Sequence, residues 1–380
     1  MAVAAHNDDP APQSATCTLT VSVVDATPIH DIQGASHLSP RSGQTVAGVR
    51  GVVTARTGGG FWFQDPSPDA QQATSEGLFV FTSSAPAVAV GDLVQVSGRV
   101  SEFRPGGDAD NLTTTELTGS SISVVSSGNA PPAATVVGTG GRVPPGEVIE
   151  DDASGDVETG GAFDPAGDGI DFYESLEGMR VELNNAVAVG PRNNFGEIPV
   201  VGDDGANASV RTGRGGVVVR PGDFNPERVF LDDVIAPTPS VDVGDHLPGA
   251  AVGVMDYSFG NYKLGVTSSP GTLSGGLARE VTAAPAADQL SAATFNVENL
   301  DPSDPQAKFD DLAGLIVDNL RAPDVVAVEE IQDDNDAVVD AALTFSRLIS
   351  AIQGAGGPTY DFRQSSRPRS PPCGPACSTT

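Results

Sequence analysis

The sequence predicts a mostly β protein that ends in an α/β segment. Three observations carry that prediction. Forty-five Gly and 30 Pro among 380 residues, with 39% hydrophobic residues, favour short strands and frequent turns over a helical bundle. From residue 43 to about residue 275 the chain reads as short strand-like runs separated by Gly- and Asp-containing turns, and GQTVAGVRGVVTAR (43–56) alternates apolar with polar residues. From Leu290 the apolar spacing switches to that of helices alternating with strands.

Taken in order, residues 1–27 read as a loose leader containing one apolar stretch, CTLTVSVVDA, that suits a single strand. GQTVAGVRGVVTAR (43–56), GFWFQDP (60–66), GLFVFT (77–82) and VGDLVQVSGRVSEFR (90–104) are four strands, and TTELTG with SISVVS supplies the last pieces. About five strands with Gly-Asp turns predict a small closed barrel of the oligonucleotide/oligosaccharide-binding (OB) type over 28–130. SGNAPPAA (127–134) reads as a linker. Residues 131–289 read as a second β-rich domain: GMRVELNNAVAVG, ASVRTGRGGVVVR, RVFLDDVIA and HLPGAAVGVMDYSFGNYKLGV are its strand-and-turn segments. TAAPAADQ (282–289) is a second linker.

In 290–364, SAATFNV is a strand. The following QAKFDDLAGLIVDNL sets Phe309, Leu312, Ala313, Ile316 and Leu320 at helical spacing. DVVAVEEI is a second strand, introduced by Pro323. A second helix then places Val338, Ala342, Phe345, Ile349 and Ile352 on one face and stops at Gly354. Strand, helix, strand, helix predicts a layered α/β arrangement whose two strands are joined by a crossover.

Charge bounds the function. Fifty acidic residues against 20 basic give a net charge of −30. Such a surface repels phosphate backbones in general, so nucleic-acid contact would need local basic patches or bridging metal ions. No apolar run reaches the roughly 18 residues of a membrane helix. MAVAAHNDDPAPQ lacks the basic and apolar regions of a signal peptide, so the chain either stays inside the cell or starts downstream of a missing leader. Cys17, Cys373 and Cys377 neither make a disulfide framework nor a convincing zinc site. Oligomeric state is not legible.

Asn296 and Glu330 each fall near the end of an apolar run, where side chains emerge at the rim of a sheet. An amide oxygen with a carboxylate suits a hard divalent ion that keeps several waters and takes its other ligands from phosphate. These stretches, Phe295-Asn296-Val297-Glu298-Asn299, Lys308-Phe309, Ala322-Pro323-Asp324 and Val328-Glu329-Glu330-Ile331-Gln332-Asp333, resemble the endonuclease/exonuclease/phosphatase family of deoxyribonuclease I-like enzymes. The resemblance extends upstream through IHDIQGASHLSPRSGQTVAGVRGVVTA, GFWFQDP, GIDFYESLEGMRVEL and DFNPERVFLDD, all similar to large secreted bacterial nucleases.

That resemblance implies an α/β sandwich over 290–364 and Mg²⁺ or Mn²⁺ held by Asn296 and Glu330; Asn299 and Asp333 are nearby candidates for orienting those ligands. It further implies metal-dependent phosphodiester hydrolysis of DNA or RNA, and a secreted or cell-surface bacterial location. The family also requires later His and Asp residues. All four His here (His6, His30, His37, His246) precede residue 290, and SSRPRSPPCGPACSTT departs from the family. The expectation is therefore an incomplete catalytic domain with a disordered, non-native tail at 365–380. Two other functions stand as alternatives: a non-catalytic module that holds nucleic acid or a surface polymer, and a phosphatase or sphingomyelinase-like phosphodiesterase.

Three further features are weighed against plainer readings. Trp62 could stack a base as single-strand binders do, with core packing the favoured reading. Arg211 and Arg214 could touch phosphate, with solvated turn residues favoured. Asp164, Asp168 and Asp171 are near enough in sequence to share Ca²⁺, but lack EF-hand spacing, and a solvated loop is favoured.

Overall fold

The computed structural model describes residues 2–6, 14–18, 26–334 and 340–364. The chain forms two compact units, Met1–Leu277 and Ala278–Thr380.

The first unit opens on β1 (Ala2–His6) and β2 (Ser14–Thr18), paired antiparallel. A leader with one strand inside CTLTVSVVDA is thus replaced by a strand pair that begins at residue 2; residues 19–25 lie outside the described set. Next come α1 (Ile29–Gln33) and five strands, β3 (Thr45–Arg56), β4 (Gly60–Gln64), β5 (Gly77–Phe81), β6 (Leu93–Phe103) and β7 (Thr114–Ser126). They form a closed barrel in the order β3-β4-β5-β7-β6. Every pairing is antiparallel except β5 with β7.

Alternation decides which side chains enter the barrel. Val49, Val53, Phe61, Phe63, Leu78, Val80, Val94, Val96, Val100 and Leu117 point inward, with Ile29 and Ile32 of α1 packed against them. Burying each large apolar side chain is worth about 1.5–3 kcal/mol. TTELTG and SISVVS form one strand rather than two pieces, because Gly119 takes φ +58° opposite an irregularity between Ser97 and Arg99. This left-handed backbone suits a residue without Cβ.

The second sheet follows. Its elements are β8 (Thr135–Val137), the short helices α2 (Val157–Gly160) and α3 (Gly169–Glu174), then β9 (Arg180–Ala188), β10 (Ile198–Val201), β11 (Val229–Asp232), β12 (His246–Ser258) and β13 (Asn261–Val266). The order is β10-β11-β13-β12-β9-β8, and β10 also pairs with β9, so the sheet curls back on itself. Leu183, Ile198, Val200, Leu231, Met255 and Leu264 fill its interior with Phe172 and Leu176. ASVRTGRGGVVVR is not a strand pair. It forms only isolated bridges, Arg211 with Val217 and Arg220 with Asp223. Gly213, Gly215 and Gly216 supply no side chains to pack, and Arg211 folds back on the carbonyls of its own loop.

Barrel and second sheet meet backbone to backbone. A Cβ on Gly77 would come within 2.0 Å of the Gly178 carbonyl carbon, so only glycine fits there. Around that contact, the Gln33 amide donates to the Gly77 carbonyl at 2.7 Å and the Gln64 side chain accepts from the Arg180 N–H at 2.8 Å. Ser75 donates to the Glu177 carbonyl at 2.5 Å.

In the second unit, β14 (Ala292–Leu300) and β15 (Val325–Ile331) pair in parallel. Between them lie α4 (Gln306–Gly314) and a π-helical turn, Leu315–Asn319; α5 (Ala342–Gly354) follows. Phe309, Ala313 and Ile316 are buried as the spacing predicts, with Leu312 and Leu320 packed beside them. The buried face of α5 is Thr344, Leu348, Ala351 and Ile352. Phe345 and Ile349 of the expected stripe instead line a groove of about 700 Å³ beside β15. Val338 lies outside the described residues. Among those residues the sheet of this unit has two strands; the tail at 365–380 also lies outside them.

Candidate functional site

Asn296 lies midway along β14, where regular pairing with the adjacent parallel strand stops, and Glu330 lies near the carboxyl end of β15. In the register Asn296 faces Glu329, and pairing is irregular from Asn296 to Leu300. Glu330 is therefore one residue past the partner of Asn296. Backbone in the left-handed region marks both strand ends: Glu298 at φ +52°, Asn299 at +54° and Glu330 at +60°. Non-glycine residues held so cost of order 1–3 kcal/mol each and gather at functional sites.

The Asn296 Oδ1 accepts the Glu298 N–H at 2.8 Å, which orients the amide. Asn299 accepts from the Gln332 amide at 2.9 Å, bridging the two strand ends. Glu329 accepts the Thr294 hydroxyl at 2.8 Å. Glu330 is exposed and makes no ion pair or hydrogen bond among the described residues. Asp333 lines the same groove as Glu330. Two groups of three metal-competent side chains occur among the described residues, and neither contains Glu330. Asn296 and Glu329 are thus register partners, while Glu330, the next residue along, lines the groove beside β15.

The acidic loop is more closely assembled. Glu150, Asp168 and Asp171 each present an oxygen within 4.8 Å of the others. Asp168 is 4% exposed and makes no side-chain hydrogen bond. Burial pushes its carboxyl up, as do the charges of Glu150, Asp151, Asp171 and Asp164, to about 6. Asp164 buttresses the loop rather than completing the triplet: its backbone N–H donates to Asp171 at 2.6 Å. Glu150 is the member that sequence reading missed, since it stands 18 positions before Asp168 with no regular spacing to flag it.

Behind this loop lies a second buried network. His37 Nε2 meets Asp171 at 2.7 Å, and Nδ1 lies 3.3 Å from Glu174, out of line for a hydrogen bond. Burial lowers the His37 pKa, but Asp171 and Glu174 outweigh it and raise it to about 10.

Trp62 points outward from the barrel yet is only 4% exposed, because Val254 of β12 and Ile235 of the bend after β11 cover it. Its ring lies 4.7 Å from Phe79. Together they wall a cavity of about 470 Å³ between the barrel and the β12–β13 turn. Arg211 spends its guanidinium on the carbonyls of Gly215 (3.1 Å) and Asp204 (3.2 Å), stitching its own loop. Arg214 is exposed. Arg220 pairs with Asp223 at 2.8 Å and with Glu147 at 3.2 Å, so it is not an open phosphate clamp.

A family model described as a domain of unknown function (DUF8508) matches residues 136–274. That range holds the acidic loop and nearly all of the second sheet. No curated protein and no solved structure matches the chain. No helix among the described residues is long and apolar enough to cross a membrane.

Proposed function

We propose that residues 290–364 contribute the metal-holding part of a divalent-metal phosphodiesterase site acting on nucleic acid. One observation carries the reading: the parallel pairing that sets Asn296 beside Glu329, with Glu330 the next residue along, where the regular ladder of two neighbouring strands ends. Ligands of α/β sheets bind beyond the carboxyl ends of their strands. Mg²⁺ or Mn²⁺ suits an amide oxygen and a carboxylate, with waters and a phosphate in the remaining positions. Such an ion offsets charge on the phosphate and lowers the pKa of bound water. The endonuclease/exonuclease/phosphatase sandwich is the architecture this reading requires.

Proton transfer by a positioned side chain contributes about 10²–10⁴-fold. No His follows His246 in the sequence to supply it beside these strands. The 380-residue chain is accordingly expected to hold metal weakly and to nick plasmid DNA no faster than buffer. Water-proton relaxation with Mn²⁺ tests the site: Glu330→Gln should remove one weak binding contribution and leave the others. Mn²⁺ binding that Glu330→Gln leaves untouched sinks the assignment. Plasmid cleavage abolished by Glu330→Gln would establish a complete site.

A second reading, a binding module, draws on the barrel. Its first-second-third-fifth-fourth strand order, with the third and fifth strands parallel, is that of an OB barrel. Such barrels take ligands on the face of the second and third strands and on the loops after the first and fourth. The loop around Asp168 adds a Ca²⁺ role: Glu150, Asp168 and Asp171 supply carboxylate oxygens of the kind that ion prefers.

A further inference from the structure

We propose that the cavity between the barrel and the β12–β13 turn binds a small organic ammonium ion. Its size, about 470 Å³, is that of a small-molecule site. Its place follows from register: Trp62 pairs with Phe79, and Phe79 with Glu116, so the three form one row across β4, β5 and β7. Inward neighbours of each fill the barrel, which leaves this row on the outer face. Phe81, Phe103 and Phe259 stand at the wall with 45%, 50% and 68% of their surface exposed.

The walls are aromatic, and the charges are all of one sign. Glu116, Glu177 and Asp256 line the cavity; no Lys, Arg or His does. Glu116 is 7% exposed, and its carboxylate has no hydrogen bond or ion pair among the described residues. Glu177 is 4% exposed; one oxygen accepts from the Thr115 N–H at 3.0 Å and from the Gln33 amide at 3.3 Å, and the other has no partner. Arg104, between the lining residues Phe103 and Pro105, pairs with Glu158, and the Lys263 ammonium lies 5.8 Å from the Phe259 ring. It is committed to Glu197 and stands 3.7 Å from Asp232.

Elimination then names the occupant. A phosphate-bearing ligand meets three carboxylates and no cation, so nucleic acid is repelled. A neutral apolar ligand leaves buried carboxylates unpaired, which is costly. A bare metal ion needs clustered oxygens, and these three do not come together as a metal-competent group. What satisfies both wall and floor is a positive charge clothed in hydrocarbon. Aromatic faces attract such cations by about 0.5–2 kcal/mol each, and the orphaned carboxylates supply the counter-charge.

Trp62 is the only Trp in the chain, so its fluorescence reports the cavity directly. The full chain is titrated in mildly alkaline buffer with choline, with its uncharged carbon analogue 3,3-dimethylbutan-1-ol, and with oligo-dT. Choline should shift the emission saturably and bind about tenfold or more tightly than the alcohol, the worth of about 1.4 kcal/mol. Glu116→Gln should weaken choline about tenfold and leave the alcohol unchanged. Phe259→Ala, at an exposed ring that the fold does not need, should weaken choline in the same assay. The proposal is overturned if choline gives no saturable change, if the alcohol binds equally well, if both variants bind choline as the wild type does, or if oligo-dT alone saturates the signal.

Discussion

Replacing Glu116 by Gln should stabilise the ligand-free protein, and only above a defined pH. Burial is the main cause that lifts this carboxyl from 4.5 to about 7, with the charge of Glu102 adding to it. Between those values the folded chain keeps a proton that the unfolded chain has released. Stability therefore falls as pH rises through that interval, and the whole penalty is in force above about pH 7. At about 1.4 kcal/mol per pH unit, the rise corresponds to about 3 kcal/mol. Leaving a buried Gln amide unpaired returns about 1–2 kcal/mol of it. The variant should thus gain about 1–2 kcal/mol at pH near 8, and lose a similar amount at pH near 4. Urea unfolding followed by Trp62 emission reads both numbers. Equal changes at the two pH values, or a variant less stable in alkali, would refute the account of this carboxylate as desolvated and unpaired.

Ca²⁺ should raise the melting temperature of the wild type, whereas Asp168→Asn should melt higher than wild type without Ca²⁺ and lose the response to it; a Ca²⁺ shift preserved in Asp168→Asn counts against the triplet. Gly77→Ala drives a Cβ to 2.0 Å from the Gly178 backbone and should cost at least about 3 kcal/mol or prevent folding. Gly58→Ala, with nothing within 4 Å, should stay within about 0.5 kcal/mol; comparable losses in the two variants would remove the argument for a forced approach. Phe61→Ala empties the barrel centre and should cost about 3–5 kcal/mol in the same urea assay.

Local pattern made the barrel legible. Each of its strands sends alternate side chains inward, and one face of every strand must be buried whatever lies outside. The helix bearing Phe309 and Ile316 was legible for the same reason. What could not be read was contact between distant segments. Trp62 sits on the outward face of β4, and nothing near it in sequence announces Val254 as its cover. Glu150 joins Asp168 only because α3 starts against the 147–150 stretch, where the Gly169 N–H donates to the Val148 carbonyl at 3.0 Å. Val-rich 208–220 resembled a strand because periodicity does not register that glycines and a self-bonded Arg211 leave no partner to pair with. The offset of the α5 face has a similar origin: Leu348 and Ala351 turn toward α4, while Phe345 stacks on Phe362 at 4.7 Å. Around Asn296 and Glu330, nothing in the sequence announced the left-handed backbone of Glu298, Asn299 and Glu330.

The glycine-on-glycine crossing at positions 77 and 178 has a consequence for anyone dissecting the gene. It makes the barrel and the curled sheet a single inheritable piece, although each alone has the strand count of a familiar module. Expression of residues 28–130 by themselves would strip Val254 and Ile235 from Trp62 and Phe79 and leave Gln33 and Gln64 without their partners across the crossing. Such a fragment should be sticky and poorly soluble. A shuffling event, natural or engineered, would have to move residues up to 277 together.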